Sequence, residues 1–224
     1  MKMTGHAAAM AVLAVVVSLA TNASADVLYD STVFNAVGGG LTSTTWTDVD
    51  AGFILMDDIS VPAGGWVIDT VSNYFGTLNS PTATTANLVV FPKALGEVNA
   101  MDFAIEVPIT VETLVLTDSE TGWSRYVEKV DASGLNMALA PGDYWIGMSP
   151  IEAAPPTGWT AWGSYAANGD RPIWYSIGTN TYEPLFGLWN GPDQMLQIQG
   201  VPEPATFGLA TVALLVLSRR RSGR

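Results

Sequence analysis

Carboxylates and indoles are the reactive groups this sequence supplies in quantity, and they bound the chemistry open to it. Acidic residues number 21 against nine lysines and arginines; cysteine is absent, and the one histidine is His6. Thiolate nucleophiles and thiolate metal sites are therefore excluded, and a Ser-His-Asp triad or histidine-ligated zinc would have only His6 to draw on. Asp57 and Asp58, preceded by Asp48 and Asp50, form the densest acidic group. With loop carboxylates such as Asp143 or Asp193 they would offer hard oxygen ligands to calcium, the one cofactor worth considering. Successive strand residues point to opposite faces, so only one of Asp57 and Asp58 can meet a given ion. Their spacing fits no dedicated calcium loop, and a solvated strand entry competes with the metal reading.

Paired carboxylates can also hydrolyse glycosides when they stand about 5–10 Å apart in a cleft. Glu112, Glu128 and Glu183 are possible members, although nothing in their spacing singles them out. Aromatic rings offer a binding alternative. Trp159, Trp162, Tyr165, Trp174, Tyr175, Tyr182, Phe186 and Trp189 crowd one region, and exposed indoles can stack on the apolar faces of sugar rings. Trp159, Trp162, Trp174 and Trp189 are the candidate glycan contacts. The same rings are large core payloads, and Trp159 and Trp162 would face opposite sides of a strand, so one of them belongs inside.

The elements that must position these groups read as strands. Short β-branched or aromatic runs recur at 27–34, 53–61, 66–75, 87–91, 112–117, 123–130, 144–148, 173–177, 185–189 and 195–199. Turn clusters separate them: Gly38-Gly39-Gly40, Pro62-Ala63-Gly64-Gly65, Ala140-Pro141-Gly142-Asp143 and Asn190-Gly191-Pro192-Asp193. The one helical candidate, 92–102, is a short loop or single turn. About ten strands without βαβ alternation predict an all-β fold, an antiparallel β-sandwich of jelly-roll-like form. Strict alternation over 66–75 puts Trp66, Ile68 and Tyr74 on one face and Val67, Val71 and Phe75 on the other. Two apolar faces suit a central strand. Over 194–199, Leu196 and Ile198 face one way and Met195, Gln197 and Gln199 the other, which gives that strand one wet face.

Both ends carry addresses. Lys2 opens a positive leader, 7–20 is largely apolar, and Ala23-Ser24-Ala25 is a small-x-small cleavage site. Residues 1–25 therefore read as a signal peptide for the export machinery, with Asp26 the first residue of a single 26–200 domain. Loss of the leader takes His6 with it, so the exported part has no side chain that titrates unperturbed near neutrality. All 21 acidic residues lie from Asp26 to Glu203, where only Lys93, Arg125, Lys129 and Arg171 oppose them. Such a surface repels nucleic acid and anionic lipid.

At the other end, Val201-Pro202-Glu203-Pro204 precedes an apolar run from 205 to 217 and then Arg219, Arg220 and Arg221. Two prolines so close keep the motif extended and exposed. The 13 residues of this run, with Thr206, Gly208 and Thr211 as weak interruptions, reach about 20 Å as a helix against roughly 30 Å of hydrocarbon, a short transmembrane span helped by arginine snorkelling. The arginines mark the cytoplasmic side of the inner membrane. Residues 201–224 thus resemble the PEP-CTERM sorting signal of Gram-negative bacteria. That resemblance implies an exosortase-type membrane peptidase-transferase as partner, cutting at or near the motif, and an association with exported polysaccharide or biofilm matrix. A second resemblance joins Asp57-Asp58-Ile59-Ser60-Val61-Pro62-Ala63-Gly64-Gly65-Trp66, the following Ile68-Asp69-Thr70-Val71, and Pro141-Gly142-Asp143-Tyr144-Trp145-Ile146-Gly147 to segments of secreted bacterial β-sandwich modules of no settled activity. The chain is expected to be a non-enzymatic protein of the envelope or extracellular matrix, associated with glycan, passing through an inner-membrane intermediate to the cell surface. A secreted carboxylate-dependent glycoside hydrolase is the alternative.

Overall fold

A computed structural model describes residues 25–34, 40–78, 81–165, 172–183 and 193–202. These form β1 (Asp26–Asp30), β2 (Gly40–Thr42), β3 (Thr44–Trp46), β4 (Ala51–Val61), β5 (Trp66–Leu78), β6 (Thr85–Pro92), β7 (Ala104–Pro108) and β8 (Thr110–Thr117). They continue as β9 (Ser124–Leu139), β10 (Gly142–Glu152), β11 (Gly158–Ser164), β12 (Ile173–Ser176), β13 (Thr181–Glu183), β14 (Asp193–Gln194) and β15 (Leu196–Pro202). The fold is all-β, in two sheets. One runs β1-β15-β5-β11-β14, with β9 also on β5, β8 on β9 and β2 on β11; the other runs β13-β12-β4-β3-β10-β6-β7. Among the described residues no α-helix occurs, and none is long and apolar enough to cross a membrane.

The main core draws on both sheets, with Leu55, Ile59, Leu88, Ile146 and Met148 from one and Ile68, Val71, Phe75, Val130 and Ile198 from the other. That shared interior is the sandwich-like feature anticipated from alternation. The Pro92–Asp102 segment resolves into two 3₁₀ turns, Lys93–Leu95 and Ala100–Phe103. This stretch covers the outer face of the second sheet, where Ile54, Met56, Val89, Phe91 and Tyr175 make a second cluster with Ala100. Strand β4 is consequently buried on both faces, unlike a strand with one wet side.

Three expectations need correction. Fifteen strands appear among the described residues where about ten were read; β2, β3, β7, β13 and β14, of five residues or fewer, are too short to show a period, and the seven-residue β11 (Gly158–Ser164) was also missed. The pairing is not wholly antiparallel, since β10 meets β3 in parallel over Ile151↔Thr45 and Glu152↔Trp46. The face assignment for 66–75 also fails. Trp66 and Ile68 share the main core with Val71 and Phe75, while Tyr74 lies in a separate cluster with Phe34, Val127 and Met195. A bulge at Asp69 is the reason. Pairing skips from Ile68↔Met137 to Thr70↔Ser133 on β9 and from Gly200↔Ile68 to Gln199↔Thr70 on β15. One extra residue exchanges the two faces downstream of it. The wet-face reading of β15 holds for Leu196 and Ile198 inside against half-buried Gln197 and Gln199, but Met195 is buried at 1% exposure. The predicted strand at 185–189 lies outside the described residues.

Glycine sets the closeness of the second sheet at one point. Gly147 on β10 pairs with Met56 of β4 on one side and Val89 of β6 on the other. A Cβ there would run into the Leu55 carbonyl oxygen and stand 2.6 Å from Met56 Cγ. Gly147→Ala is therefore expected to destabilise the domain by about 1–3 kcal/mol through overpacking. Urea unfolding should show a lower midpoint with an unchanged slope.

Candidate functional site

The two junctions that the sequence reading expects to be processed lie at one end of the first sheet. Asp26, the residue after the predicted leader cut, pairs with Gly200, and Val27 with Gln199. On its other side β15 follows β5 to its end, with Gly200↔Ile68, Val201↔Val67 and Pro202↔Trp66. Val201 and Pro202, read as the start of an exposed sorting motif, are thus the last rungs of a sheet strand. Val201 is half-buried and Pro202 exposed. Proline is tolerated there because a terminal rung does not require its missing N–H. Ala25 lines a cleft of about 350 Å³ with Val67, Asp69, Asn136, Gly200 and Val201. Gly200 makes the close pairing of β15 possible, since a Cβ would meet the Val67 carbonyl oxygen and stand 3.0 Å from Leu28 Cδ1. Ala23, Glu203, Pro204, Arg219, Arg220 and Arg221 lie outside the described residues.

Asp57 and Asp58 do face opposite ways, but neither is a solvated strand entry. They sit mid-strand in β4, at 0% and 7% exposure. Asp58 accepts from Lys93 Nζ at 2.9 Å, and the same ammonium lies 4.6 Å from the centre of the Trp145 ring. Asp57 lies between Leu55 and Ile59, both of the main core, so it points between the sheets. It accepts from the backbone N–H of Gln194 at 3.1 Å and of Asp58 at 3.0 Å. Burial, and next the charge of Asp193, push its carboxyl well above the ordinary carboxylate range. No group of three or more acidic, histidine or cysteine side chains suited to a metal is present among the described residues. Asp143, the other proposed calcium partner, accepts from Ser60 Oγ at 2.6 Å instead.

The candidate catalytic glutamates do not converge. Glu112 pairs with Lys129 and Thr113 with Glu128 across β8 and β9, which sends the two carboxylates to opposite faces. Glu183 belongs to β13 in the other sheet. The carboxylates that do meet, Asp57 and Asp193, are enclosed at 0% and 1% exposure. Asp57 has the raised pKa a general acid needs, but it presents no oxygen at the surface.

The tryptophan platform is likewise not assembled among the described residues. Trp159 is interior at 3% exposure, edge-on to Phe75, and donates its indole N–H to Glu152 at 2.9 Å. Buried Glu152 also accepts the backbone N–H groups of Thr82 and Ala83 at 2.8 Å, so it ties a loop to the core. Trp162 is half-buried and packs edge-on to Phe34. Trp174 stacks on Phe53 at 4.2 Å and donates to the Thr42 carbonyl at 2.8 Å. Trp189 is outside the described residues. The exposed rings are instead Trp123 and Tyr126, at 55% and 78%. Sequence reading passed over them because they are separate from the aromatic-dense stretch; their place beside the 117–123 turn was the available signal.

The Asp57 geometry carries a pH dependence of definite sign. The folded state retains a proton that the unfolded chain releases near pH 3.9, so stability falls as pH rises from about 4 toward the raised folded value. Asp57→Asn should remove this slope. Thermal melts at about pH 5 and about pH 8 should show wild type losing more stability than the variant; parallel behaviour would refute the assignment.

No family model matches the chain, and no curated protein or solved structure matches it. The functional reading stands on residues and geometry.

Proposed function

We propose that this chain is an exported protein of the bacterial envelope or matrix, routed by its leader and sorted through its 201–224 tail. A membrane peptidase-transferase of the exosortase type is the processing partner. The exported part is a non-enzymatic, jelly-roll-like sandwich. The observation that best supports this is the pairing of Asp26 with Gly200. A domain whose two membrane-directed segments leave from neighbouring strand ends can fold completely while joined to one bilayer at both. Pro202 is paired in the sheet and Glu203 follows it directly in sequence, so no linker separates the domain from the motif.

Matrix contact is assigned to exposed aromatic surface. Trp123 and Tyr126 replace the interior Trp159 in that role, because a ring that stacks on a sugar must present a face to solvent. The acidic surface disfavours polyanionic polymers and leaves neutral polysaccharide as the glycan class.

Cell fractionation of wild type beside a variant with Pro202, Glu203 and Pro204 changed to alanine tests the sorting role, with the C-terminus mapped by mass spectrometry. Wild type should lose the residues through Arg224 and leave the inner membrane; the variant should keep both tail and membrane location. Identical masses and locations would remove the proposal.

A further inference from the structure

Edge strands leave a row of backbone N–H and C=O groups without a ladder partner, and proteins guard them with charge, proline, bulges or shortness. Most edges among the described strands follow that rule. Strand β1 has aspartate at both ends and a register shift between Val27 and Tyr29. Strand β7 carries Glu106 and closes on Pro108, and β13 and β14 have three and two residues. Strand β8 is the exception. Among the described strands it pairs with β9 alone, over an unshifted ladder from Thr110↔Asp131 to Thr117↔Ser124. It holds no proline or lysine, and its one charge is Glu112. All of it is exposed except half-buried Leu114 and Leu116. Val111 and Val115 stand at 44% and 63% exposure, and Tyr126, opposite Val115 on β9, at 78%.

We propose that β8 is a homodimer interface, pairing antiparallel with β8 of a second copy about a two-fold axis. Such a contact is self-complementary and closes on itself. Charge selects both the occupant and the register. Between Asp26 and Glu203 the chain has four basic residues, and two of them, Arg125 and Lys129, lie on β9 beside β8. Opposed residues share a face of the joined sheet, so the available registers centre on single residues. Centred on Glu112, like charges meet; centred on Val115, Glu112 meets Asp118 of the second copy. Centred on Leu114, Glu112 stands opposite Leu116 of the second copy, and the β9 neighbour of that leucine is Arg125. Glu112 and that Arg125 share a face, two strand spacings or about 10 Å apart at the backbone, within reach of two long side chains. Centred on Thr113, the same place is taken by Val127. The charge pair sets register more than affinity. The β1 edge would bring Asp26 and Asp30 against Glu112 and is the poorer partner. The strands β9-β8-β8-β9 run unbroken across the axis, with Val111, Val115 and Tyr126 of both copies on one face.

The test uses the full chain, purified in mild detergent, and exploits its lack of cysteine. Leu114→Cys places one thiol opposite its own copy, at the Cα separation of about 4.5–5.5 Å of an antiparallel pair, which a disulfide can span. Mild oxidation should convert most of this variant to a species of twice the mass on a non-reducing gel. Ile105→Cys, at an exposed position of the edge strand β7, should remain monomeric. Adding Val115→Glu to Leu114→Cys sets a carboxylate in line with Thr113 and Glu128 of the second copy and should lower the crosslinked fraction severalfold. Because Leu114 is half-buried, Thr113→Cys with Val115→Cys, both exposed and opposed across the axis, serves as a second crosslinking chain. Covalent dimers from both chains support the interface. A Leu114→Cys chain that melts like wild type yet stays monomeric would overturn it, as would a folded double-cysteine chain that stays monomeric. Equal crosslinking by Ile105→Cys would reveal random collision and overturn it too. A dimer unaffected by Val115→Glu would sink the pairing through β8.

Discussion

Without disulfides, the two sheets are held together chiefly by the apolar surface between them, and β5 organises that surface. It lies against β15, β11 and β9 and contributes Trp66, Ile68, Val71 and Phe75 to the shared core. Burial contributes roughly 25 cal/mol per Å² of apolar area removed from water, so a strand flanked on both edges gathers more of it than any edge strand. The Asp69 bulge is what allows those four residues to share one face. Without the extra residue, Val71 and Phe75 would turn away from Ile68 and the core would divide. Gly134 and Asn136 on β9 adopt φ of 72° and 46° opposite the irregularity, the left-handed conformations a looped-out partner strand needs.

Polar groups in this interior carry structural roles that surface residues would not. Glu152 holds a loop backbone and an indole at once, and removal of such an acceptor strands several buried donors. Asp57 works differently. Its two backbone hydrogen bonds favour the charged carboxylate, but burial and Asp193 oppose it more strongly. A neutral acid in the core still accepts from Gln194 and thereby joins β4 of one sheet to β14 of the other. This is a cross-sheet tie on a surface pairing that otherwise depends on hydrocarbon.

Much of the architecture was legible where period and length were both present. The runs at 53–61, 66–75 and 144–148 all became strands, because β-branched and aromatic residues bounded by turn clusters mark a strand even where both faces are buried. Alternation also separated Asp57 from Asp58 correctly. What it could not carry was a change of phase: nothing about Asp69 as a residue type marks it as a bulge, which arises from the register of two neighbouring strands. The same limit hid the burial of Asp57 and Asp58. Local polarity suggests solvent, whereas Lys93, Gln194 and the covering turns come from distant parts of the chain. Density of aromatics misled for a related reason. Trp159 and Trp174 find partners in Phe75 and Phe53, far away in sequence, while isolated Trp123 and Tyr126 keep their exposure.

The closeness of Asp26 and Gly200 was also invisible in sequence. Antiparallel pairing of the first and last strands is a tertiary fact, fixed by which apolar faces fit the core. Leu196 and Ile198 must point inward, which sets the phase of β15 against β5. Gly200 then permits Val67 and Leu28 to close around the chain where a larger residue would hold them apart. With that phase fixed, Asp26 of the edge strand β1 comes to lie opposite Gly200, and Val201 and Pro202 follow on beside Val67 and Trp66 of β5. The same interior packing that stabilises the domain therefore fixes how close the first and last described strands come.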